Sequence, residues 1–84
     1  MLSLIYTRRA LKDLAALSAD DGRRVRERLT AYAAAPEVAR QDVKPLKGTP
    51  GGFRLRSGDW RALFTVSGVE MKVYRIGRRR EVYR

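Results

Sequence analysis

Phe53-Arg54-Leu55-Arg56-Ser57-Gly58-Asp59-Trp60-Arg61-Ala62-Leu63-Phe64 is the stretch that decides the fold. Apolar and basic residues alternate on both sides of Gly58-Asp59, which is the period of a strand with one covered and one open face. Gly-Asp between two such runs reads as a two-residue hairpin loop. Ser57 then faces Trp60, and the remaining pairs follow from strand geometry. Phe53, Leu55, Trp60, Ala62 and Phe64 fall on one side; Arg54, Arg56 and Arg61 fall on the other, with Arg56 directly across from Arg61.

Working outward, Phe53 to Ser57, Trp60 to Val66 and Val69 to Ile76 read as three strands, with Ser67-Gly68 as the second hairpin loop. Val66, Val69, Met71 and Val73 extend the apolar face, while Lys72 and Tyr74 extend the basic one. Upstream, Leu2 to Tyr6 reads as a first strand. Thr7 then caps a helix with Ala10, Leu11, Leu14 and Leu17 at apolar spacing, and Ser18-Ala19-Asp20-Asp21 opens a second helix carrying Val25, Leu29, Tyr32 and Ala33. Pro36 closes it. The stretch from Pro36 to Gly52 has no clear periodicity, and its end, Thr49-Pro50-Gly51-Gly52, suits a type II turn. The expected fold is α+β: strand-helix-helix-three-strand, a twisted antiparallel sheet with a helical hairpin on one face, forming a single domain over residues 1–84.

The basic face is where chemistry is to be sought. Like charges opposite each other in a sheet cost up to about 1 kcal/mol, a conflict that an anionic ligand removes. Arginine forks grip phosphate bidentately and stabilise charge developing on a phosphoryl group. A solvated face whose arginine stems shield the backbone is the plainer alternative. The run Gly77-Arg78-Arg79-Arg80-Glu81-Val82-Tyr83-Arg84 follows the last strand and can fold over one end of that face. Tyr83 there could stack on an unpaired base or simply pack at the sheet edge. Trp60 alternates with core positions and reads as core.

Composition agrees with a polyanion partner. The net charge of the 84 residues is +10, and it is local: 8 basic and 6 acidic residues precede Val43, against 11 basic and 3 acidic from there on. Phosphate neutralisation by Lys and Arg is the main sequence-independent source of nucleic-acid affinity. With no Cys and no His, disulfides, thiol nucleophiles and imidazole catalysis are excluded. Asp20 and Asp21 suit helix capping, no carboxylate cluster of metal type is present, and no cofactor is expected. Lys47-Gly48-Thr49 lacks the spacing of a P-loop. The apolar start is too short for a signal peptide and no segment approaches a membrane span, so a cytoplasmic protein without a membrane partner is expected.

The run from Val43 to Phe64, with Leu46-Lys47-Gly48 ahead of the aromatic-basic-apolar-basic strand, resembles the central signature of RelE-type toxins in the RelE/ParE superfamily of type II toxin-antitoxin systems. Gly77 to Arg84 resembles that family's C-terminal signature, and Tyr6 to Leu14 its entry into the first helix. The resemblance implies a ribosome-dependent mRNA endonuclease that needs no metal, inhibits translation, and is held in a hetero-oligomer by a RelB-like antitoxin. It also implies attack of a ribose 2′-OH on the adjacent phosphate. Arg61 and Arg79 would hold that phosphate, Tyr83 would stack on or orient the nucleotide, and Arg54 or Arg56 would assist the 2′-OH. The best-studied type carries lysines at the two strand positions; arginine effectively cannot give up its proton, so charge stabilisation is the role implied for Arg54 and Arg56. Further RNA contacts are expected from Lys44, Lys47, Lys72, Tyr74, Arg78 and Arg80. Two other readings stand beside this one: a ParE-type inhibitor of DNA gyrase without nuclease activity, and a non-catalytic RNA-binding relative.

Overall fold

The computed structural model describes residues 1–83; Arg84, the last residue of the basic run, lies outside them. β1 (Ser3–Tyr6) leads into α1 (Arg8–Ala15) and α2 (Ala19–Ala34). Then come a short β2 (Val43–Pro45), the meander β3 (Gly52–Ser57), β4 (Trp60–Ser67) and β5 (Glu70–Arg78), and a single turn of helix, α3 (Arg79–Val82). The strands form one sheet in the order β1-β5-β4-β3-β2.

Both long helices start where the sequence places their caps. Thr7 Oγ1 accepts from the Ala10 amide at 3.1 Å and Ser18 Oγ from the Asp21 amide at 3.2 Å, each satisfying an amide that the helix itself leaves without a partner. The helices cover one face of the sheet. Ala10 and Leu14 of α1 and Val25, Leu29, Tyr32 and Ala33 of α2 bury themselves against Leu55, Ala62, Phe64, Met71, Val73 and Ile76. Phe64 is fully buried at the centre, with the Tyr32 and Phe53 rings at 5.3 and 5.6 Å between centroids. Leu11, expected in the helix's apolar stripe, is instead 54% exposed. α1 ends at Ala15, so Leu17 packs against the core from the connection rather than from the helix.

Three features of the sheet differ from the sequence reading. First, β1 runs parallel to β5, Ser3 opposite Glu70 and Tyr6 opposite Val73, so the sheet is mixed rather than antiparallel throughout. Second, the irregular stretch contains β2, which pairs antiparallel with β3 at the sheet edge, where Pro45 costs no ladder bond. Third, the second hairpin loop is Gly68-Val69, not Ser67-Gly68: Ser67 pairs with Glu70 and Val66 with Met71. Gly58 and Gly68 both have positive φ (59° and 60°), which puts glycine first in each loop, as a type II′ turn requires. Val69, expected in the core, is therefore 70% exposed at the loop. The change moves each pairing by two residues, so Met71 and Val73 still face the core. The type II turn stands as read: Gly51 has φ 71° and the Gly52 amide donates to the Thr49 carbonyl at 2.8 Å.

β1 ends at Tyr6, leaving the last part of β5 without a neighbour on that side. Asp13 of α1 supplies one: its Oδ2 accepts from the Ile76 amide at 2.9 Å while its Oδ1 accepts from Arg9 Nε at 3.0 Å. Asp13→Ala leaves the Ile76 amide without an acceptor and should destabilise the fold by about 1–3 kcal/mol. Asp13→Asn, which keeps one oxygen, should recover most of the loss in denaturant or thermal unfolding.

Candidate nucleic-acid interface

The hairpin β3–β4 places Arg56 directly across from Arg61, and Arg54 across from Leu63, on the face away from the helices. What happens on β5 decides whether a site can form over them. An irregularity between Leu63 and Phe64 shifts the register: Phe64 pairs with Val73 but Leu63 pairs with Arg75, leaving Tyr74 as an extra residue. A bulge of this kind reverses which way the following side chains point. Ile76 turns into the core, and Gly77 comes to lie across from Arg61.

Gly77 has no side chain to stand between the sheet and the segment that follows. A Cβ built there would meet Val82 Cγ1 at 3.0 Å. The chain accordingly folds back as α3 and packs on β4 and β5. Val82 of α3 and Leu63 are both buried yet stand outside the main core cluster. That return brings Arg79 and Tyr83 over the strand arginines.

The result is a cleft of about 360 Å³ lined by Arg54, Arg56, Arg61, Arg79 and Tyr83. These are the five residues expected to act together, and no carboxylate is among them. Arg61 is fixed by its own turn, its Nη1 donating to the Gly58 carbonyl at 3.0 Å and the Trp60 carbonyl at 3.1 Å. Partial burial and then the charges of Arg56 and Arg54 hold the Arg61 guanidinium below its ordinary range. The cleft is thus a concentrated positive field with a pre-positioned guanidinium at its centre.

The residues expected around the cleft divide. Lys44 pairs with Arg54 from β2 and extends the basic face to the sheet edge. Tyr74, at the bulge, is half-buried; burial and then the neighbouring Tyr83 raise its phenol above the ordinary range. Arg80 lines an adjoining depression with Arg79. Lys47 and Lys72 are exposed but do not line the cleft, and Lys72 lies 3.8 Å from Glu70 Oε1. Arg78 is directed elsewhere: the reversed alternation sets it across from Trp60, where its guanidinium lies 5.1 Å from the indole centroid. Sequence reading missed Gly77, the residue that makes room for α3; its only signal was a glycine within a strand, which marks a bulge or a close approach.

The family model for the ParE toxin of the type II toxin-antitoxin system parDE matches residues 4–83. The chain belongs to the ParE toxin family. A search of curated proteins finds no match. Among solved structures, the toxin is similar to the archaeal RelE–RelB complex from Pyrococcus horikoshii, with a TM-score of 0.79 at 26% identity over 95% of this chain and 97% of that one. It is also similar to the isolated E. coli RelE toxin, with a TM-score of 0.78 at 22% identity over 99% and 92% of the two chains. The RelB–RelE antitoxin-toxin complex from Methanococcus jannaschii gives a TM-score of 0.78 at 20% identity over 94% of each chain. This is a type II toxin of the RelE/ParE superfamily with the RelE fold.

Two outcomes follow from the geometry. Arg56→Thr removes the like-charge pair and should raise stability by up to about 1 kcal/mol while weakening binding of a polyanion; paired unfolding and binding titrations check this. Gly77→Val forces Val82 off the sheet. It should keep the sheet's circular-dichroism signal but expose Arg79 and Arg80 to rapid cleavage by trypsin, at a stability cost of about 1–3 kcal/mol.

Proposed function

We propose that this toxin is an endoribonuclease that cuts mRNA on the ribosome in the cytoplasm, and that a RelB-like antitoxin neutralises it as a hetero-oligomer. The observation that carries this reading is the closing of one cleft by Arg54, Arg56, Arg61, Arg79 and Tyr83 with no carboxylate among them. Folding two arginines against each other across a hairpin opposes stability, and a bound phosphate offsets it.

In this reading the scissile phosphate lies between Arg61 and Arg79. The ribose 2′-OH gives its proton to solvent water as its oxygen attacks phosphorus; the bond to the 5′-oxygen breaks and that oxygen takes a proton from water, leaving a 2′,3′-cyclic phosphate and a 5′-hydroxyl. Negative charge grows on the non-bridging oxygens as this happens. Arg61, held in place by the turn carbonyls, meets that charge without having to reorganise. Arg54 and Arg56 stabilise the 2′-oxygen as it loses its proton, but do not take the proton themselves. Tyr83 stacks on the nucleotide and keeps the attacking oxygen in line. Lys44 supports the strand leaving over the sheet edge.

The gyrase-inhibitor reading is favoured by one observation: the family model that matches the chain is that of the ParE toxin. One experiment separates the two. Induced expression should give mRNA fragments with 2′,3′-cyclic phosphate ends only where ribosomes engage the message, and Arg61→Ala should abolish both the fragments and growth arrest. Intact mRNA together with loss of DNA supercoiling would establish the gyrase reading instead.

A further inference from the structure

Three depressions gather around the β3–β4 turn and α3, and they share walls. The arginine cleft shares Arg79 with a second hollow that also contains Asp59, Arg78, Arg80 and Glu81. That hollow shares Asp59 and Arg78 with a third, of about 310 Å³, formed with Asp21, Arg24, Ser57 and Trp60 under the turn on the helix side of the sheet. The bulge is what links them. By reversing the alternation it sends Arg78 to Trp60 on one face while α3 carries Arg79 to the other.

The charges along this path are available to a ligand. Among the described residues, no carboxylate lies within ion-pair distance of Arg24, Arg78, Arg79 or Arg80. At the far end, the exposed Arg78 guanidinium lies over a partly buried indole that packs on the core, a backed plane on which a base can stack. Asp21 and Asp59 in that third hollow make it unsuited to a bare phosphate. They suit a base, whose ring or exocyclic N–H groups a carboxylate accepts, with Arg24 beside it for the phosphate.

We infer that the bound strand does not end at the arginine cleft: single-stranded RNA continues over Arg79 and Arg80, round the end of the sheet, to a second nucleotide subsite built from Trp60, Arg78 and Arg24. This rests on the ribonuclease reading and adds to it a stretch of strand held away from the cut. The subsite positions substrate and touches no reacting atom. It would make the enzyme discriminate between long and short RNA, and base identity would be read at the carboxylates rather than in the cleft.

Trp60 is the only tryptophan in the sequence, so its fluorescence reports on the subsite directly. The probes are uncleavable 2′-O-methyl oligoribonucleotides, with binding followed in parallel by anisotropy of a 5′ dye. A trinucleotide should bind with Arg61-dependent affinity and leave Trp60 emission unchanged. Oligomers of roughly six nucleotides or more, within the site sizes of single-strand-binding modules, should bind more tightly and change the emission. Arg24→Ala, on the exposed side of α2, should weaken only the longer oligomers and lower their salt slope by about 0.7, the loss of one phosphate contact on a single strand. Arg61-dependent binding at all lengths, with Trp60 emission constant and Arg24→Ala without effect, overturns the extended track and leaves the ribonuclease reading standing. Absence of Arg61-dependent binding at any length overturns both.

Discussion

One extra residue in β5 sets the arrangement of everything around the cleft. A strand that alternates without interruption would point Ile76 away from the helices and leave a side chain, not Gly77, facing Arg61. The bulge at Tyr74 corrects both at once. Ile76 completes the core, and the residue opposite Arg61 is the one that lacks a side chain, so the chain can turn back at van der Waals distance. Asp13 holds the segment from the other side by taking the Ile76 amide. Core packing and the cleft are therefore secured by the same few residues of β5, and a change that removes the bulge damages both.

The electrostatics oppose stability where they favour binding. Four guanidiniums share a cleft with no counter-charge among its lining residues, and Arg61 is displaced from its ordinary proton affinity by burial and by Arg56 and Arg54. Arg9, Arg23 and Arg28, by contrast, each have a nearby carboxylate, in Asp13, Asp20 and Asp42. The cleft gathers its four guanidiniums at the end of the sheet where α3 returns. Such clustering focuses potential on a groove.

How much of this could be read from the chain depends on how local the cause was. The β3–β4 register, and with it the Arg56–Arg61 pair, follows from the glycine of a two-residue loop and from alternation on both sides, all within a dozen residues. The helix caps are equally local. The second hairpin carried the same signal, a glycine in first position, yet Ser67-Gly68 and Gly68-Val69 look alike until positive φ is assigned to one site. The bulge, the parallel pairing of β1 and the short edge strand β2 were not legible, because each is decided by what lies beside it in the folded sheet. Arg78 shows the consequence: it belongs to a basic run of three, and only the reversed alternation sends it to the opposite face from Arg79.

The parallel contact between β1 and β5 orders events in time. Ser3 and Glu70 can meet only after the helical hairpin and three strands have been made, whereas β3, β4, β5 and α3 are sequence neighbours joined by turns. Contacts that close short loops form ahead of those that close long ones. The arginine cleft belongs entirely to the local part and needs nothing upstream of Arg54 for its lining. Its hairpins and α3 close short loops, so the lining can come together ahead of the parallel pairing of β1 in refolding of the full chain. The groove that concentrates positive charge is thus built from contacts of short range, while the strand that completes the sheet beside it closes the longest loop in the molecule.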